Sequence, residues 1–234
     1  MFAALCACQR GAQEPDAAEA AARQAQEKAF LVENTAWREQ RKQELLQPDG
    51  WTSLVGLHWL EPGPHYIGSG GGSGIRLAAG PAKMGMVTLR QDRIDFTPES
   101  GAALTLDSEP LKGRVELHSD RDETPGVIGF DEGKGKLTAI KRGDRYALRV
   151  RHADAPSRLN FAGVDYWKAD ASWRIDGRFV ANPPGKTLPI VDIVGITTDA
   201  PNPGAVEFVR YGRTYRIEAL GEGDSGALFL VFAD

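Results

Sequence analysis

The chain reads as a mainly β protein with an N-terminal α-helix, its strands gathered into antiparallel, sandwich-like units. Three observations predict this class. A segment from Asp16 to Leu46 is rich in Ala, Glu, Gln, Lys and Arg and contains neither Gly nor Pro, a composition that favours helix. Short apolar stretches with alternating polarity follow it to the end of the chain. Gly, Pro, Asp and Asn punctuate those stretches at the spacing of antiparallel β architecture.

Taken in order, the first element is the N-terminus. Met1–Cys8, followed by polar Gln9, Arg10 and Gln13, looks like the tail of a lipoprotein signal peptide, with Leu5, Cys6 and Ala7 preceding Cys8 as the lipidated residue. Its apolar part is short and lacks a basic start, so the true signal is expected to begin upstream. Cys6 and Cys8 are the only cysteines; two positions apart they make a poor disulfide, and a two-cysteine metal site lacks its other ligands. Ala17 to about Gln26 is polar all round and is expected to be a tether or a partly exposed helix. Ala29 to Leu46 carries Phe30, Leu31, Trp37, Leu45 and Leu46 and is expected to pack on the domain, until Pro48, Asp49 and Gly50 stop the helix.

Strands are expected at Val87–Arg90, Ile94–Thr97, Ala103–Leu106, Arg114–His118, Lys136–Ile140 and Tyr146–Arg151. Others are expected at Trp173–Phe179, Ala205–Arg210, Tyr215–Ile217 and the terminal run Ala227–Ala233. Arg90–Arg93 and Tyr211–Arg213 look like tight hairpin turns. Asp, Glu and Gly accumulate between Asp120 and Gly135, which suggests a boundary there. The expected organisation is a truncated lipoprotein signal and tether over 1–28, a helix with a small β-sandwich over 29–125, and a second β unit over 126–234.

A net charge of -4 gives no support for nucleic acid as a partner. No apolar run reaches the roughly 18 to 20 residues that span a bilayer, so the membrane is expected only through a lipid anchor at Cys8. The glycine run Gly68–Gly74 lacks the Lys-Ser/Thr ending of a phosphate-cradling loop and leads into an expected strand, which makes it a flexible hairpin loop. His58, His65, His118 and His152 lack metal-ligand spacing, so neither metal nor cofactor is expected. His58, between Leu57 and Trp59, reads as a packed, hydrogen-bonded residue. No serine sits in Gly-x-Ser-x-Gly.

One cluster points to a ligand. If Tyr146, Leu148 and Val150 face the core of a strand, then Arg145, Arg149 and Arg151 line its other face, and Arg158 and Asn160 follow after a Pro-containing turn. Guanidinium groups on one face repel unless something anionic sits among them. The candidates are protein carboxylates, Asp144, Asp154 or Asp165, or a small anionic ligand walled by Tyr166 and Trp167. The expected ligand surface is therefore Arg149, Arg151, Arg158, Asn160, Asp165, Tyr166 and His58. The expected role is an uncharacterised ligand-binding or envelope-associated module. The alternative is a hydrolase-like enzyme in which the arginines hold a small anionic substrate and His58 or Asp165 acts as general base.

Pro48–Trp51, Ser53–Leu57, Trp59–Leu60, Gly68–Ser69, Arg142–Arg145, Leu148–Arg151, Arg158–Phe161, Gly163, Asp165–Tyr166, Pro184, Lys186–Thr187 and Phe232–Asp234 together resemble a bacterial family of domains of unknown function, number 1684. The likeness covers roughly Trp37 to Asp234. It implies an exported lipoprotein, periplasmic or in the outer envelope, and no activity that transfers to these residues. Relatives continue beyond Phe-Ala-Asp, so the resemblance implies that a C-terminal segment is missing here. The stretch from Ile67 to Leu77 is also similar to the start of a forkhead-associated sandwich, without the Arg and Ser-His pair with which such domains read phosphothreonine.

Overall fold

The structure is a computed structural model that describes residues 17–192, 195–221 and 228–232. It is mainly β with one long N-terminal helix. The described residues divide into two compact units, one drawn from Met1–Gln40 and Asp165–Asp176, the other from Arg41–Val164 and Gly177–Asp234.

Helix α1 (Ala17–Leu45) is continuous, with Glu19 in its first turn and Lys42 in its last, the charge placement that suits the helix dipole. None of its residues is buried, and Phe30 and Leu45 are half-buried. Its end is built from specific contacts. Thr52 Oγ1 donates to the Leu45 carbonyl and Arg158 Nε to the Leu46 carbonyl, which satisfies acceptors that a helix end leaves orphaned. Gly50 is needed there because a Cβ would lie 2.8 Å from the Glu44 carbonyl oxygen.

The strands that follow are β1 (Leu54–Trp59), β2 (Gly63–Gly68), β3 (Ile75–Arg76), β4 (Gly85–Arg90), β5 (Arg93–Pro98), β6 (Thr105–Leu106), β7 (Glu109–Pro110), β8 (Val115–Glu116), β9 (Val127–Phe130), β10 (Gly135–Arg142) and β11 (Arg145–His152). Among the described residues they form a six-stranded sheet, β1-β11-β10-β9-β6-β7, and a five-stranded sheet, β3-β2-β4-β5-β8. One core of alternating inward side chains joins the two sheets: Ile67, Val87, Ile94 and Phe96 from one, Ile128, Phe130, Leu137, Leu148 and Val150 from the other. The boundary expected near residue 125 thus falls inside a single sandwich, because β1 before it pairs with β11 after it.

The Arg90–Arg93 turn is a two-residue hairpin with Gln91 at φ 53°, and the same register closes β10 onto β11 through Gly143 and Asp144. The glycine run is not a hairpin. It joins β2 to β3 as parallel neighbours, Ile67 opposite Ile75.

After α2 (Pro156–Leu159) come β12 (Arg178–Ala181), β13 (Thr187–Val191), β14 (Thr197–Pro201), β15 (Gly204–Arg210), β16 (Arg213–Leu220) and β17 (Phe229–Val231). β12-β15-β16-β17 make a sheet and β13-β14 a hairpin. The strand expected over Trp173–Phe179 is replaced at its start by a 3-10 turn, Ala171–Trp173, capped by Asp170, whose carboxylate accepts from the Ser172 amide. The terminal apolar run is a strand over Phe229–Val231; residues 227 and 233 of it lie outside the described residues.

Candidate functional site

β11 alternates as its sequence demands. Tyr146, Leu148 and Val150 are buried in the core, and Arg145, Ala147, Arg149 and Arg151 share the opposite face. Residues directly opposite in antiparallel register lie on the same face. Arg142 pairs with Arg145, Thr138 and Leu57 flank Arg149, and Lys136 and Leu54 flank Arg151. The outer face of this sheet thus gathers five cations, Lys136, Arg142, Arg145, Arg149 and Arg151.

Three of the five have partners. Lys136 Nζ lies 3.0 Å from Asp49, Arg142 Nη1 lies 2.8 Å from Asp120, and the Arg145 guanidinium stands 4.3 Å over the Trp59 ring. Arg149 and Arg151, both half-buried, have neither an ion pair nor a hydrogen bond among the described residues, and Arg151 Nε is buried without a partner. Burial, followed by the neighbouring charges of Arg151 and Arg142, pushes the Arg149 guanidinium below the usual arginine range. The Lys136 bond holds Asp49 below the usual carboxylate range, so that carboxylate is charged and committed. Asp154, a candidate neutraliser from sequence, instead bonds Lys134 at 2.9 Å. Sequence reasoning missed Asp49 and Asp120, which approach this face only through the fold.

The other expected site residues are placed differently. His58 lies opposite Leu148 in register, and Leu148 points into the core, so His58 and the Arg149–Arg151 pair occupy opposite faces of one sheet. Its ring covers Gly56, where a Cβ would fall 2.6 Å from Nε2. Burial pushes the imidazole pKa down, and Nε2 has no hydrogen-bond partner; the expectation of a hydrogen-bonded His58 is not met. Arg158 does not extend the arginine row. Its Nε donates to the Leu46 carbonyl at 2.7 Å and its Nη1 to the Ala153 carbonyl at 2.8 Å, which ties α2 to the end of α1. Asn160 Nδ2 donates to the Pro156 carbonyl. Asp165 and Tyr166 belong to the helical unit, where the Tyr166 ring meets Trp37 edge-on at 5.8 Å and lies under the Arg38 guanidinium.

His152 is buried with both nitrogens engaged. Nδ1 accepts from the Asp154 amide and Nε2 lies 3.3 Å from Asp131. Among the described residues no group of three His, Cys, Asp or Glu side chains is placed to hold a metal ion, and no helix is long and apolar enough to cross a membrane. Cys8 lies outside the described residues.

No curated protein matches the chain. The likeness read from the sequence has an independent counterpart at the C-terminal end, which includes Asn160, Asp165, Tyr166 and Lys186. Residues 159–234 match the model of the family described as "Protein of unknown function (DUF1684)".

Proposed function

We propose that this protein is a ligand-binding, envelope-associated module that holds small anions against the outer face of β11, with Arg149 and Arg151 as the contacting side chains. One observation carries the reading: in a row of five cations, these two alone lack a carboxylate, hydrogen-bond or aromatic partner among the described residues, although they are half-buried beside one another. An anion that accepts from both guanidinium groups relieves their repulsion and supplies the missing acceptors. Leu57, 47 % exposed and opposite Arg149, offers an apolar shoulder to the carbon frame of such a ligand. Export with a lipid anchor at Cys8 completes the proposal and rests on the sequence of the N-terminus.

The test is thermal unfolding of the purified protein with citrate and phosphate, wild type against Arg149→Met/Arg151→Met. Ligand at about 100 times its dissociation constant stabilises the wild type by about 2 to 3 kcal/mol, and the double variant, still melting cooperatively, loses that gain. Equal stabilisation of both proteins would reflect the general salt effect of such anions and would overturn the proposal. Palmitate labelling that requires Cys8 is expected; no labelling, or labelling that survives Cys8→Ala, would refute the anchor.

A further inference from the structure

A second site, independent of the arginine face, lies beside the glycine run. A cavity of about 530 Å³ is lined by Tyr66, Gly71, Gly72, Ser73, Lys83 and Glu99, within the size range of small-molecule sites. The glycines of the run divide into two kinds. Gly70 is required by the protein's own packing, because a Cβ there would lie 2.7 Å from the Ala82 carbonyl oxygen. Gly71 and Gly72 are required by nothing in the protein. Neither adopts a left-handed φ, and a Cβ at either would meet open space. What their lack of side chains does is leave the backbone bare towards the cavity, the condition for a ligand to approach it closely. Their amides donate to no backbone carbonyl of the described turns.

The cavity also carries charges of both signs, on an exposed Lys83 and a half-buried Glu99. Lys83 and Glu99 are opposite in sign, yet they form no salt bridge with each other and no ion pair or side-chain hydrogen bond with any described residue. The Tyr66 ring, 64 % exposed, forms a wall. We infer that this cavity binds a small zwitterion of dipeptide size, its carboxylate accepting from Lys83 and the Gly71 and Gly72 amides and its ammonium donating to Glu99. An anion alone would leave Glu99 opposed, and a cation alone would leave Lys83 opposed. A ligand with both charges satisfies both.

The probe is glycylglycine, titrated into the isotopically labelled protein while the amide resonances of Gly71 and Gly72 are followed. Saturable shifts are expected with glycylglycine and not with acetate or ethylamine. Lys83→Met and Glu99→Gln should each weaken binding by about tenfold or more, the scale of a lost charged hydrogen bond. Gly71→Val should abolish it without lowering the melting temperature, since the added side chain enters open space. Arg149→Met should leave it unchanged, which separates this site from the arginine face. Absence of saturable shifts, or binding that survives both Lys83→Met and Glu99→Gln, would overturn the inference.

Discussion

At the scale of single residues, partner geometry decides what a charge does. Asp95 is 3 % exposed at its side chain and is bonded by Arg114 and Arg93, and the Arg114 bond above all holds its carboxyl below the usual carboxylate range. Asp95→Asn should therefore cost about 2 kcal/mol at pH 7, the scale of hydrogen bonds to a charged group. A carboxylate with a lowered native pKa adds stability above its unfolded value of about 4 and loses it as the pH falls through the native one. The difference between wild type and Asp95→Asn in urea midpoints should thus shrink between pH 5 and pH 2; a constant difference would contradict it. His58 has the same slope in another window. Burial lowers its pKa, so the unfolded chain binds more protons, and stability should rise with pH through about 6.5. His58→Phe should flatten that rise in chemical denaturation at pH 5 and pH 7. The arginine face was legible in the sequence because strand alternation has a period of two. The side of the sheet on which His58 sits was not, because a bulge between Leu54 and Gly56 shifts the register of β1, and a one-residue shift exchanges the faces.

At the scale of elements, β9, β10 and the turn between them depend on one buried ring. Phe130 is 1 % exposed, and a Cβ on Gly135 would overlap it. Gly135→Ala should lower stability by about 1 to 3 kcal/mol, the usual cost of overpacking a rigid core, and Phe130→Leu in the same protein should recover part of the loss. A double variant no better than the sum of the two single ones would show that the ring is not the obstacle. Hairpins such as Arg90–Arg93 were readable from local turn chemistry. The parallel return of the glycine run was not, because it rests on non-local bonds, the Ser69 and Gly70 amides to the Pro81 and Ala82 carbonyls and the Leu77 amide to the Gly68 carbonyl. The 3-10 turn at Ala171–Trp173 was missed for a local reason, the competition of the Asp170 side chain with strand pairing.

At the scale of the whole molecule, residues on both sides of position 125 share one sandwich. Fragments 29–125 and 126–234, prepared separately, should each lack cooperative unfolding, because β1 loses β11 and the two sheets lose their common core. Far-ultraviolet circular dichroism and thermal melts check this; a cooperative melt from 29–125 alone would restore the boundary that composition suggests. An acidic, glycine-rich stretch marks a loop whether it joins two domains or two strands of one sandwich, so composition could not distinguish them.

The amino-acid sequence by itself determined the fold class, the long helix, most strand positions in the sandwich, the inward set of β11 and the row of arginines opposite it. Each of these follows from periodicity and local propensity, which act over a few residues. Only the tertiary structure decided that Arg149 and Arg151 form no ion pair among the described residues, that His58 sits behind them, that Arg158 serves a helix end, and that Lys83, Glu99 and two unencumbered glycines meet around one cavity. Those outcomes depend on residues as far apart as Asp49 and Lys136, whose encounter is fixed by strand register and sheet order and by no pattern within either segment.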